Sequence, residues 1–399
     1  MTSAQPPVKI APLKLEPRIQ HYAWGDPAFI PDLLGRPRDG RPWAEAWYGA
    51  HPSAPSIVHT PTGPESLDGH IATDGMRLLG GEVSRTYGTL PYLVKLLAAA
   101  HPLSIQVHPD AAQARAGFDH EQAAGIALDA PHRNYRDPHH KPELIVALTP
   151  FHALCGFRPL PVIEAMLDRA GEIRDLLPRL GGGGEDLSNL LAAWFELPDR
   201  RVRPALSRLL QRIAATPPAL LTPEFWMLKA QQALGSGAPP DRGLLFLFLL
   251  ELRQLQPGQA LFLEAGVPHA YLQGAGLEIM AASDNVLRAG LTPKHVDAEA
   301  VLQVIRTGNP APEVIEADAS GAYVTPAKEF EVQRLTAIES MQTAVSPELI
   351  LACADGATIQ VEGVDLHPTL ASGEACLMAS GTRYRLVAGK SVWRIGVPL

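Results

Sequence analysis

The hydrophobic period alternates between strand-like and helical spacing along this chain, which limits it to a β-rich body interrupted by helices. From about residue 8 to 157, short apolar runs such as Tyr92–Leu97 and Leu144–Leu148 are broken by Pro, Gly and Asp. Runs of that length between turn residues predict strands of a β-sandwich or barrel. After Arg158 the spacing becomes helical. Leu206, Leu209, Leu210 and Ile213 fall at i, i+3, i+4 and i+7, and Ile163, Met166 and Leu167 follow the same rule. Thr222-Pro223-Glu224 has the capping hydroxyl and first-turn proline of a helix start, while Gly181–Gly184 is a breaker. Residues 159–240 therefore read as a helical insertion closed by the loop Gly235–Pro240. Strand character returns from about Leu255 to Asp284, Pro293–Arg306 reads as a helix, and residues 318–399 are β-rich again.

Bulk properties narrow the function. The 399 residues are enough for two or three domains with substantial cores, and 38 prolines suit a β body better than a helical one. A formal charge of −8 argues against nucleic acid or an acidic membrane as the main partner. An anionic substrate would need its own local cluster of Arg and Lys. Met1–Pro7 lacks a signal pattern, and the longest strongly apolar run, Leu244–Leu250, is too short to span a bilayer. The three scattered cysteines, Cys155, Cys353 and Cys376, argue against a disulfide framework or a Cys-rich zinc site. A cytoplasmic protein is expected.

The sharpest chemical signal is Ser104-Ile105-Gln106-Val107-His108-Pro109. It alternates like a strand, so Ser104, Gln106 and His108 share one face while Ile105 and Val107 enter the core. Glu143, in Lys141-Pro142-Glu143-Leu144, and His269, in Val267-Pro268-His269-Ala270-Tyr271, supply a carboxylate and a second imidazole. Gln106, His108, Glu143 and His269 could thus hold one divalent ion in a small barrel, with a position left for water or substrate. Spacing alone does not make them converge; each is also compatible with a loop or satisfied core histidine, or with a surface carboxylate. Lys141 and Glu143, two apart, would share the cavity face.

A second signal is the run Asp284-Asn285-Val286-Leu287-Arg288-Ala289-Gly290-Leu291-Thr292-Pro293-Lys294. If Thr292 caps a helix with Pro293 in its first turn, free N–H groups, Arg288 and Lys294 together form a phosphate cradle. The alternative is a solvated helix start with two surface cations. Ser104, Lys95, His140, Lys141, Glu278 and Asp284 are further polar groups expected to face the cavity. His120, His132 and His139 read as loop histidines without a role. The segment Gly373–Gly381 also lays over Gly258–Gly266 without a gap, putting Tyr384 where the first copy has His269. Two β-units of one design are expected, only the first keeping a metal donor there.

These residues resemble a known family. Tyr22–Gly25, Glu45–Pro52, Ser104–Asp110, Asp137–Glu143, Pro268–Leu272 and Asn285–Lys294 are similar, in order, to motifs of type I phosphomannose isomerases. The resemblance is good over roughly Lys14–Val304 and only general beyond it. It implies a zinc-dependent cupin enzyme interconverting mannose 6-phosphate and fructose 6-phosphate. The implied fold is mainly β with an α insertion: cupin-type jelly-roll β-barrels, one metal-bearing and one degenerate, plus a helical domain. The corresponding boundaries are 1–157 and 241–317 for the catalytic cupin domain, 158–240 for the helical insertion, and 318–399 for the metal-free unit.

By the same resemblance one Zn2+ per chain would sit on Gln106, His108, Glu143 and His269. Arg288 matches the active-site arginine, with Lys141, His140 and Asp284 as candidates for proton transfer. Ser104 and Lys294 match phosphate-linked positions, and Lys95, Tyr271 and Glu278 match other substrate-pocket groups. Ala46 stands where the family commonly has leucine, a change expected to affect packing alone. The expected partner is a small sugar phosphate, without nucleic acid or membrane, and the expected state is a monomer. Two rival readings are an iron-dependent cupin dioxygenase, since two histidines and a carboxylate also suit iron, and a non-catalytic sugar-phosphate-binding cupin. The amide donor and phosphate cradle argue against the first.

Overall fold

In a computed structural model, the described residues are 11–60, 63–183, 186–235, 237–336, 340–354, 356–364 and 367–399. Met1–Pro7, Gly184 of the glycine run and Ser236 of the closing loop lie outside them. The chain forms two compact units, one of Ala99–Gly276 with Ser283–Val314, the other of Met1–Ala98, Leu277–Ala282 and Ile315–Leu399. The architecture is mainly sheet with several helices.

In the Ala99–Gly276/Ser283–Val314 unit, the strand beginning at His269 is flanked by Phe151–Phe157 and Ile105–Val107. Phe151–Phe157 continues to Leu250–Leu255, and Ile105–Val107 continues to Leu287–Gly290. Glu143–Ala147 pairs with Ala260–Leu263. Helices at Leu160–Arg169, Gly171–Arg174, Asp186–Glu196, Asp199–Ala215 and Pro223–Ala233 follow the strand Phe151–Phe157. Their periodic apolar faces are buried: Ile163, Leu206, Leu209, Leu210 and Ile213 join Trp194, Trp226 and Phe246–Leu250 in one cluster. Ile105 and Val107 belong to that cluster too. The insertion therefore packs behind the strand that carries Gln106, each fully buried large apolar side chain contributing about 1.5–3 kcal/mol.

In the other unit, Leu13–Glu16 lies between Ala375–Met378 and Ile57–Thr60, while Glu45–Gly49 pairs with both Arg18–Gln20 and Tyr92–Ala99. The sheet Gln342–Thr343, Arg383–Ala388, Ala357–Val361, Thr369–Leu370 packs on a core that includes Ile359, Leu370 and Tyr384.

Two expectations need correction. Residues 8–157 are not strands alone: helices form at Leu67–Leu79, Gly81–Tyr87 and Ala111–Ala123. The last is announced by a capping box, since Asp110 accepts from the Gln113 N–H while the Gln113 side chain accepts from the Asp110 N–H. The helix expected from Pro293 begins instead at Ala298, with Asp297 as its cap. Leu291 turns left-handed, at φ +55°, and breaks the run before Pro293. Thr292 then caps no helix among the described residues: its hydroxyl accepts from the Lys294 N–H, 3.1 Å away. The helix-terminus part of the phosphate cradle is thereby removed, and only its cations remain.

Candidate metal centre

Three of the four expected donors converge. His108, Glu143 and His269 each offer a ligand atom within 4.8 Å of the others, and all three are buried. The histidine Nε2 atoms lie 3.3 Å (His108) and 3.5 Å (His269) from separate oxygens of Glu143. On the far side of each ring, Nδ1–H donates to a backbone carbonyl: His108 to Asn285 O at 2.8 Å, His269 to Val267 O at 3.0 Å. A carbonyl can only accept, so both rings carry their proton on Nδ1 and aim an Nε2 lone pair at the carboxylate.

Two lone pairs facing a carboxylate inside a protein repel unless a cation lies between them. Among the described residues His108 Nε2 has no hydrogen-bond partner despite complete burial. Donors about 2.1 Å from a tetrahedral ion lie about 3.4 Å apart, close to the spacings observed here. The residues therefore fit a divalent ion of the zinc type. Burial lowers the His108 imidazole below its ordinary value, favouring the neutral ligand form. Burial alone would raise the Glu143 carboxyl. The positive charge of Lys141 beside it opposes this, and the group is held well below the usual range. Lys141 Nζ stands 3.2 Å from Glu143, as their spacing predicts.

Strand register sets Gln106 beside this site. It lies directly opposite His269 on one side and Arg288 on the other. Side chains opposite one another across a ladder share a face, with Cβ atoms about 4.5–5.5 Å apart. Arg288, Gln106 and His269 thus form a row beside the donors, and Ser104, two residues before Gln106, is half-buried. Cys155 continues the row opposite His269, but burial pushes its thiol up to about 12, so it stays protonated.

The loop that ends in His140 and Lys141 is pinned by residues to which the sequence assigned no role. Asn285 donates through Nδ2 to the carbonyls of Asp137 (2.7 Å) and His139 (2.8 Å), and accepts from the Arg136 N–H at 2.7 Å. Asp137 in turn accepts from the Asp284 N–H and the Ser283 hydroxyl. The backbone carbonyl of the same Asn285 orients His108, so one residue couples a metal-donor ring to the proton-transfer candidates. Arg136 is another residue missed. Lys294 titrates below its ordinary value through partial desolvation, then the charges of Arg288 and Arg136. Three cations therefore face one region, a place for an anion. Tyr271 is buried with its ring 6.2 Å from that of His269. Lys95 and Glu278 form a buried 2.9 Å ion pair in the other unit, where Lys95 also stands 3.5 Å from Glu45 and over Trp47.

The turn carrying the cations is held from a distance. Asp241 Oδ1 accepts from the N–H groups of Gly243 (2.7 Å) and Leu291 (2.8 Å), fixing Leu291 in its left-handed conformation. A side chain in that region costs roughly 1–2 kcal/mol. Gly290 and Gly243 approach so closely that neither has room for a Cβ.

The chain is similar to known proteins. A family model described as phosphomannose isomerase type I, catalytic domain, matches residues 13–160. Mannose-6-phosphate isomerase of Escherichia coli is 38% identical over 379 residues, covering 92% of this chain and 94% of its own. The human mannose-6-phosphate isomerase is 32% identical over 317 residues, 72% of this chain and 71% of its own. A crystal structure of the Salmonella typhimurium mannose 6-phosphate isomerase with fructose 6-phosphate and zinc superposes with a TM-score of 0.87. It is 33% identical and covers 98% of this chain and all of its own. With such identity sustained over nearly the whole sequence, the chain belongs to the mannose-6-phosphate isomerase family, type I.

Proposed function

We propose that this protein is a zinc-dependent aldose–ketose isomerase that interconverts mannose 6-phosphate and fructose 6-phosphate. The observation that carries the reading is the inward-facing trio of two Nε2 lone pairs and a carboxylate, all buried. His108, Glu143 and His269, joined by the Gln106 amide, hold one zinc ion. The zinc-bound Salmonella relative supports the same choice of metal over the iron of a dioxygenase. When bound, zinc acts as a Lewis acid on the substrate's C1–C2 oxygens without redox chemistry.

The rest falls to side chains. Arg288, in the row beside Gln106, stabilises charge developing on the substrate oxygen as the enediol forms. Lys294 and Ser104 anchor the phosphate, with Arg136 adding charge. Tyr271 belongs to the same substrate pocket. The proton passes between C1 and C2 through a base drawn from His140, Lys141 and Asp284, whose segments the Asn285–Asp137 clamp holds.

For the fold we infer cupin-type jelly rolls: residues 1–157 and 241–317 form the catalytic cupin domain, 158–240 its helical insertion, and 318–399 a metal-free second barrel. A monomer is the inferred working unit. The three buried free cysteines are compatible with a cytoplasmic setting. No helix among the described residues is long and apolar enough to cross a membrane.

The test is a coupled assay for fructose 6-phosphate formed from mannose 6-phosphate, before and after chelation. Activity should vanish with the metal and return with zinc; undiminished turnover by demonstrably metal-free protein would falsify the assignment. A second measurement addresses the cation turn. Asp241→Ala should raise the KM for mannose 6-phosphate several-fold more than it lowers kcat, because it loosens the Leu291 turn while sparing the metal donors. Unchanged KM would remove Asp241 from substrate positioning.

A further inference from the structure

The strand pairing around the metal donors recurs within the C-terminal β body, residue for residue. Leu263 lies opposite Glu143 as Met378 lies opposite Glu348. Gln106 faces His269 as Gln342 faces Tyr384, and Phe151 faces Leu255 as Ala357 faces Leu370. The turns repeat as well. Gly258 N–H donates to Ala147 O and Gly373 N–H to Ala352 O; Gly266 N–H donates to His108 O and Gly381 N–H to Ala344 O. Even the side-chain bonds match, Gln259 accepting from the Gln256 N–H and Glu374 from the Ala371 N–H.

These pairings give each donor a counterpart. Gln106 corresponds to Gln342, His108 to Ala344, Glu143 to Glu348, and His269 to Tyr384. The amide and the carboxylate are retained while both imidazoles are gone. In their place the Tyr384 hydroxyl donates to Glu348 Oε2 at 2.6 Å, and Arg394 Nη1 stands 3.5 Å from Oε1. Glu348 and Tyr384 are each 1% exposed and Ala344 is wholly buried. Burial, then the nearby carboxylate, raises the Tyr384 phenol, so its proton stays on oxygen and available to Glu348.

We propose that the C-terminal β body contains a closed second copy of the metal cage. In it the Tyr384–Glu348 hydrogen bond takes the place of the ion, and restoring the two imidazoles reopens it to a zinc-type divalent cation. The inference rests on reading His108, Glu143 and His269 as the zinc donors. The repeat also explains where the catalytic equipment lies. The connection 109–142, with His140 and Lys141, corresponds to the short 345–347, and 158–249 corresponds to 362–368.

The experiment counts zinc equivalents by titration of the full chain, stripped of metal, against a chromophoric chelator. Wild type should take up one equivalent. Tyr384→His, which replaces a larger ring by a smaller one, should add a second, weaker equivalent. Ala344→His with Tyr384→His should bind that second equivalent at least tenfold more tightly than Tyr384→His alone. Folding is checked by circular dichroism, and the single variant decides the matter if the double variant does not fold. Folded variants that stay at one equivalent overturn the inference, whereas a wild type that binds none overturns the reading of the first cage instead.

Discussion

Glu143→Gln is expected to release the zinc ion and lower turnover by about 10³ or more. The substitution keeps the shape and removes the charge. Metal Lewis-acid stabilisation is worth several kcal/mol, and each 1.4 kcal/mol is a factor of ten in rate. The loss reaches past the ion itself. Lys141, 3.2 Å away and buried, would lose its counter-charge, and both imidazoles would face an amide instead of a carboxylate. Metal content after gel filtration, measured beside turnover, checks this result. A variant that keeps stoichiometric zinc and near-normal turnover would show that the carboxylate is no ligand.

Arg288→Ala has the opposite signature: turnover should fall by ~10²–10³ while zinc content stays at the wild-type level. That magnitude is what loss of one preorganised donor to a developing oxyanion costs. Arg288 is not within the trio; it stands one ladder position beyond Gln106 on the same face. Its removal therefore leaves the ion in place and withdraws the charge beside it. Arg288→Lys should recover only part of the rate, since an ammonium lacks the planar fork of a guanidinium. Steady-state kinetics on metal-loaded protein decides: a change confined to KM would assign Arg288 to phosphate binding.

Much of the site was legible because strand period and donor chemistry coincide. Ile105 and Val107 had to be buried, so Gln106 could only point the other way, and register then sets it beside His269. The helical insertion was equally plain from the spacing of Leu206, Leu209, Leu210 and Ile213, which supply its buried face. The helix expected at Pro293 failed for a reason no local window contains. Asp241, fifty residues upstream, holds Leu291 in a left-handed turn, and Asp297 then provides the cap. Asn285 and Asp137 stood within the family motifs, yet their clamp exists only once the two loops meet. The internal repeat was visible at Gly258 and Gly373, where positive-φ turns demand glycine. Its other half, Gln342 to Glu348, was hidden by the unequal length of the connections.

The most direct test of the central claim is an anomalous difference map, measured at the zinc edge from crystals of the metal-loaded protein. One strong peak should lie within about 2.0–2.2 Å of His108 Nε2, His269 Nε2 and a Glu143 oxygen, with Gln106 completing the shell. Zinc located elsewhere, or no peak among these side chains in protein that turns over mannose 6-phosphate, would contradict it.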